Sequence, residues 1–578
     1  MIPAMKHTKE AFLALVLLVT GSTAFAQPDQ DDNLNMDVIV DGIRENEINQ
    51  ANKLSFWPEF RENVVELPPI TYNLIPNKLG VNIEPKLIKP AKVKIDESLK
   101  KLYRGYLRAG FGVYTTPLVE GYYMDGRSRN GTYSVGFRHL SSGGGNVAWA
   151  DSVPDAFSNN ELRLWGKRFM GKHALEAGFD WNRNVVHYYG VRTEQFPDVD
   201  LTDAVHQQKF NNIDGYLRLT SYFRDSTKTN YSGQVMFYNY RDAFNGNENN
   251  VDLHAHGRRF VGSELYSGDF YLNYNQYQFT DPLDPTEKLV TNDNVILGIV
   301  PQVSTIHERW RVNVGAGIFL DAKGEQPFHF YPRAEAKYNL ISNLFIPYVG
   351  VTGNLERTTF KTITTQNPWV ITNPELKSVN NKLELYGGVR GTISSNASFN
   401  ARIARNRFED WTYFANDSTQ SDGNQFRPIY DDMTRLQIMG EVAINTNGAL
   451  DLTLRGDYFI YGNIGQQLHP WDLPTTRVTL LTSYNIEDKL IATAEVYTVG
   501  KRKAKSFAEV PDARLENDGT YTVDLKGYAD VNLNVEYRYT KRVSAFVRLN
   551  NMVGGRYQQR VNYRVQTFNA MMGATYSF

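Results

Sequence analysis

The 578-residue chain contains no cysteine. That excludes disulfides, thiolate metal sites, a cysteine nucleophile and a lipid-anchored cysteine after a leader. Long apolar runs are missing too: Ala11 to Val19 is far short of the roughly 20 residues that a membrane helix needs, and no later segment approaches that length. If the chain enters a membrane, it enters as strands. Net charge is also scarce, because 62 Lys and Arg against 63 Asp and Glu leave a formal charge of -1, which argues against a nucleic-acid partner. Only 10 histidines are present and no Ser/His or Asp/His set stands out, so no enzyme is expected. The mean hydropathy of -0.45 excludes little. A large barrel keeps half of its wall polar around a wet lumen and its loops in water, and so looks soluble by this measure.

Aromatic residues are abundant. With 35 Tyr, 31 Phe and 8 Trp they make 13% of the chain, as expected where rings form girdles at two membrane interfaces. The last eleven residues alternate with period two. Phe568, Ala570, Met572, Ala574, Tyr576 and Phe578 fall on one face, and Asn569, Met571, Gly573, Thr575 and Ser577 on the other. An apolar face opposite a small, mostly polar one describes a lipid-facing barrel strand. At the other end, Met1 to Ala26 has a basic start, a short apolar core and the small-residue pattern Ala24-Phe25-Ala26, the marks of a cleavable secretory leader.

From about Tyr103 onward the alternation repeats. Leu107, Ala109, Phe111 and Val113 oppose Arg104, Tyr106 and Arg108, and Val531, Leu533, Val535, Tyr537 and Tyr539 oppose Asn532, Asn534, Glu536 and Arg538. Short turns, such as Met170-Gly171-Lys172, Ile486 to Asp488 and Thr540-Lys541, alternate with long polar connections: Ser141 to Asn159, His187 to Val205, Thr280 to Thr291, Phe360 to Ser378, Thr412 to Asp431 and Lys501 to Thr520. The count between turns is about 22 antiparallel strands, an even number that puts both termini on the short-turn, periplasmic side. The fold class expected is therefore all-β, a transmembrane antiparallel barrel over residues 103–578. Leu118 to Asp125 and Val251 to Phe260 are its weakest strands.

Residues 27–102 read differently, with prolines at 58, 68, 69, 76, 85 and 90 that oppose a continuous helix or central strand. An extended periplasmic segment is expected, able to seal the lumen through the lysines from Lys86 to Lys101. The stretch Val547-Arg548-Leu549-Asn550-Asn551-Met552-Val553-Gly554-Gly555-Arg556-Tyr557 and the ending Gly573-Ala574-Thr575-Tyr576-Ser577-Phe578 resemble the last hairpin of TonB-dependent outer-membrane receptors. The resemblance covers the barrel and implies solute uptake energised by a periplasmic partner. It also implies a globular plug, for which the 76 residues before the barrel are too few and too rich in proline. Within them, Asp37, Val38, Ile39 and Val40 resemble the short box that such receptors add as a strand to their energising protein.

Other clusters carry less. Asp252, His254 and His256 share one face of a strand and are the weak candidates for a metal site; with no closing ligand identifiable, a polar lumen or loop-rim surface is the simpler account of them. Ser142-Gly143-Gly144-Gly145 lacks the Lys-Ser/Thr and helix that a phosphate loop requires. Lys501-Arg502-Lys503-Ala504-Lys505 is a basic run in an external loop, where lipopolysaccharide phosphates would be neighbours. The inward arginines, among them Arg108, Arg163, Arg218, Arg455 and Arg538, are matched by inward acids and need no substrate to explain them. No cofactor is expected. Two functions remain: a receptor or channel for an unknown solute, or a non-transporting barrel that serves as a subunit of an envelope assembly. The partners expected are outer-membrane lipid and lipopolysaccharide, and a periplasmic energising protein or other envelope proteins.

Overall fold

The computed structural model describes residues 103–578 apart from 126–127, 146, 150–152, 198, 203–205, 281–289, 418–421, 447 and 508. The leader, the segment 27–102 and the box Asp37 to Val40 lie outside the described residues.

Twenty-two antiparallel strands close into one barrel. The first, Gly105–Gly112, pairs with the last, Asn569–Ser577, in unbroken register from Tyr106 opposite Ser577 to Gly112 opposite Met571. The terminal residue completes the seam, since Phe578 O accepts from the amides of Arg104 and Gly105, and Phe578 N donates to Gly105 O. The Phe578 ring lies over Gly105, where a Cβ would come within 2.1 Å of it, so a side chain here would have to displace the terminal ring. Both weak strands are present, as Thr116–Asp125 and Asn247–Val261.

The alternation read from the sequence sets the wall. Leu107, Phe111, Val113, Ile213, Leu217, Met572 and Tyr576 face outward and are exposed, whereas Met571 and Thr575 are buried on the inside. Outward rings gather next to the short turns: Tyr122, Tyr133, Phe169, Tyr222, Tyr231, Trp310, Tyr338, Tyr537, Tyr539 and Phe578 form a girdle at that rim. Two prolines interrupt the ladder locally. Pro301 pairs with Gly268 on one side, but on the other the ladder breaks between Ile299 and Gln302; Pro332, lacking an N–H, precedes the point where Phe328–Tyr338 and Ile346–Glu356 stop pairing, at Ala334. There the Arg333 guanidinium reaches Gly353 O at 3.5 Å.

The two rims differ as expected, with one important departure. Thr412 to Asp431 is not a long loop: the strands Ala397–Asp417 and Gln425–Asn445 continue through it as a hairpin standing above the rim. Trp411, Tyr413 and Phe414 on one side, with Phe426 and Ile429 on the other, had more to bury than a loop does. Phe414 and Phe426 are buried, and Tyr413 and Met433 pack with Trp471. Lys501 to Thr520 is a long connection, but a structured one, because Arg502–Ser506 pairs with Tyr521–Leu525 and extends the sheet by parallel pairing with Ala415 and Asn416.

Candidate functional site: the lumen and its loop-built mouth

The lumen wall carries charge in cross-strand pairs. Arg108 lies 3.3 Å from Glu536 and 3.7 Å from Glu120, Arg138 bridges Glu120 and Glu161 at 3.1 and 3.6 Å, Arg163 meets Asp180 at 2.6 Å, and Arg402 pairs with Glu384. Their side chains range from 12% exposed at Glu120 to 65% at Arg163, and the pairs that open to the wet interior contribute little to stability, about 0 to 1 kcal/mol. Together they keep the wall polar without leaving a strong field of either sign.

The weak metal candidates sit on this wall. His254 Nε2 and His256 Nδ1 both reach Asp269 Oδ1, at 3.1 and 2.9 Å, and the His254 ring stacks on Tyr271 with centroids 4.5 Å apart. Asp252 accepts from Asn273 instead. Asp269, which the histidines share, belongs to the neighbouring strand Glu264–Phe279.

At the long-loop rim the connections fold inward and pack on one another. Phe360 to Ser378, expected as a polar loop, contains a helix, Phe360–Gln366, with Thr359 as its N-cap in a capping box with Thr362. Phe360, Ile363 and Val370 are fully buried, Phe360 against Tyr277, Phe210 and Tyr240. The buried Glu248 carboxylate accepts from Lys361 N at 3.0 Å near the helix start, and from Tyr238 Oη and Asn275 Nδ2, each at 2.6 Å. A negative group at the positive end of the helix fixes this loop to the wall.

The last loop, between Val543–Asn550 and Asn569–Ser577, supplies the centre of the mouth. Asn551, in the left-handed region at φ 47°, donates Nδ2 to both Gly555 O and Gln566 O at 2.8 Å, drawing the loop's two ends together. This is the physical task of the Asn-rich stretch. Beyond it Gln558–Arg560 and Tyr563–Arg564 form a small hairpin. Tyr563 is fully buried, stacked on Trp369 at 3.9 Å and edge-on to Tyr189 at 4.7 Å, with its hydroxyl on Asn424 O. Arg560 pairs with Asp472 at 2.7 Å, Arg502 donates to the carbonyls of Gln558 and Gln559, and Trp149 Nε1 donates to Asn562 O at 2.8 Å. Loops from most of the rim thus converge on seven residues, 558–564.

Two titratable groups are held here against their ordinary ionisation. Burial lowers the His206 imidazole. Burial also pushes the Asp242 carboxyl up to about 6, although the amides of Phe244 and Gly246 donate to it. The basic run is drawn inward too. Arg502 and Lys505 are buried, and Lys505 Nζ lies 3.2 Å from both Asp518 and Gln467, so neither side chain projects toward lipid phosphates.

No family model and no curated protein matches the sequence. Solved structures share the fold. The siderophore receptor PirA from Acinetobacter baumannii superposes with a TM-score of 0.63 at 10% identity, over 83% of this chain and 81% of that one. The FrpB iron transporter from Neisseria meningitidis gives 0.61 at 10% identity, over 83% and 82%. The ferripyoverdine receptor of the Pseudomonas aeruginosa outer membrane gives 0.60 at 12% identity, over 82% and 72%. The barrel therefore has the 22-strand architecture of the TonB-dependent siderophore receptors.

Proposed function

We propose that the chain is an outer-membrane uptake receptor, in which a solute caught at the loop-built mouth passes through the polar lumen, with both termini in the periplasm. The observation that carries this reading is the closed 22-strand barrel with paired charges inside and a mouth built from convergent loops. The ferric chelates named for the structural neighbours are the first solutes to test. Cells carrying the chain should accumulate radioactive iron from at least one such chelate, and a protonophore should abolish the difference from cells lacking it. Equal accumulation in the two strains across the panel contradicts uptake of this class.

Residues 27–102 serve in this reading as the lumen-facing seal, and Asp37 to Val40 as the strand offered to an energising protein. The proline content of the segment and the width of a 22-strand lumen support the first role. Orientation follows from the loop asymmetry. Protease added to intact cells should cut within Lys501 to Thr520 and spare Thr540-Lys541, and cleavage at the latter reverses it. The dense packing of residues 558–564 favours a second reading, a sealed barrel that transports nothing and anchors an envelope assembly.

A further inference from the structure

Where the mouth meets the lumen, three oxygen atoms from three separate elements crowd together. Tyr497 is on the strand Leu490–Val499, Asp530 is its cross-strand neighbour on Tyr528–Arg538, and Tyr557 comes down from the last loop. Tyr497 Oη lies 2.9 Å from Asp530 Oδ2, Tyr557 Oη lies 2.6 Å from the same atom, and the two phenolic oxygens are 2.8 Å apart. The ring of Tyr557 is held by stacking on Tyr528, centroids 3.7 Å apart and planes within 5°.

Hydrogen bonding alone accounts poorly for this triangle. With the carboxylate ionised, two phenolic protons serve two of the three short edges and leave the third bare. Asp530 is also 4% exposed, and its Oδ1 is buried with no hydrogen-bond partner among the described residues. A metal ion held by Tyr497 Oη, Tyr557 Oη and Asp530 Oδ2 would account for the three short edges. An octahedral ion with oxygen ligands at about 2.0–2.1 Å spaces adjacent ligands about 2.9 Å apart, close to all three edges observed.

We propose that Tyr497, Tyr557 and Asp530 form one face of a site for a trivalent metal ion, ferric iron being the physiological one. Two phenolates and one carboxylate supply three negative charges, which neutralise a trivalent ion and leave a divalent one overcompensated. Oxygen ligands of this hardness select against soft metals. Binding breaks two O–H bonds and forms two metal–phenolate bonds, and both protons go to solvent. A cavity of about 290 Å³ lined by Arg477, Thr479, Glu495, Tyr497 and Tyr528 adjoins the triad. It leaves room for a small hydroxy acid to complete the coordination. The site would hand iron from a weak chelate to the lumen, and it rests on the uptake reading only for that purpose.

The test uses the full chain in detergent, titrated with ferric nitrilotriacetate. The expected result is one iron retained per chain with a visible phenolate-to-iron charge-transfer band, which fades as the pH is lowered. Tyr557→Phe should lose the band while keeping the stacked ring and the heat-modifiable mobility of a folded barrel. Tyr528→Phe, which changes the stacking partner but none of the three oxygens, should retain it. Wild type without the band, or Tyr557→Phe with an undiminished band and equal iron, overturns the site and marks any bound iron as adventitious. Because the titration involves no transport, that failure leaves the uptake reading standing, and failure of whole-cell accumulation leaves the site standing.

Discussion

Removing the ring at the centre of the mouth should loosen the loops without unfolding the barrel. Tyr563 is fully buried, its ring stacks on Trp369 at 3.9 Å and meets Tyr189 at 4.7 Å, and its hydroxyl donates to Asn424 O. Truncating a buried aromatic to alanine costs about 3 to 5 kcal/mol, of which the ring–ring geometry contributes about 0.5 to 1.5 kcal/mol per pair. A local cost of about 4 kcal/mol raises the population of the opened mouth about a thousandfold, at about 1.4 kcal/mol per factor of ten. Tyr563 meets the wall strands at Phe426, in the hairpin above the rim, while the ladders below are held by their own backbone pairing. In Tyr563→Ala, amide exchange and limited proteolysis should therefore accelerate within 500–527 and 551–568 while heat-modifiable mobility stays that of wild type. Tyr563→Phe keeps the rings and should show a much smaller effect, because it leaves only Asn424 O without its donor. Unchanged exchange in Tyr563→Ala refutes the account of the mouth as one packed unit; loss of the barrel refutes the independence of wall and loops.

Leu454→Arg should hinder insertion, because Leu454 is 45% exposed on the outer face and a charge on the lipid side costs about 2 to 4 kcal/mol at the midplane. Its neighbour Thr453 faces the lumen, so Thr453→Arg should fold normally, and equal folding yields for the two would contradict the face assignment. Acid should loosen the mouth through His206. Its imidazole, lowered by burial, stays neutral while packed, whereas the opened state protonates below about 6.5, so stability falls as the pH drops through that value. Asp242, raised to about 6, acts in the opposite sense, since the packed state binds its proton first. The comparison that isolates His206 is therefore wild type against His206→Gln, whose loop exchange should lose part of its acid sensitivity; superimposable pH profiles would show that His206 does not titrate there.

The barrel was legible because period two is strict wherever one face meets lipid and the other water. A slip of one residue would have buried Arg108 in lipid and put Leu107 in the lumen. Turn chemistry located both rims for the same local reason. The mouth was much less legible, since its contacts join residues hundreds of positions apart, and nothing near Tyr563 points to Trp369 or Asn424. Some signals were present and went unused. Trp369-Val370-Ile371 is too apolar for a solvated loop, and Trp411, Tyr413 and Phe414 make the start of the next connection too aromatic for one. Lys503 and Lys505 looked like a charged surface because their partners, His469 and Asp518, lie elsewhere in the sequence. The oxygen triad was similarly hidden: Tyr557 stood out as the aromatic after the Asn-rich stretch, but its meeting with Tyr497 and Asp530 depends on how the last loop folds back.

Planar-bilayer conductance tests most directly whether the lumen is a solute pathway. The protein to measure is the chain lacking residues 27–102 and carrying Tyr563→Ala, so that the proposed seal is gone and the mouth is loosened, compared with the intact chain. The pathway account predicts near silence from the intact protein and large, stable conductance steps from the opened one. An opened barrel that inserts and folds yet conducts nothing would contradict it, and would leave the non-transporting envelope subunit as the reading that fits.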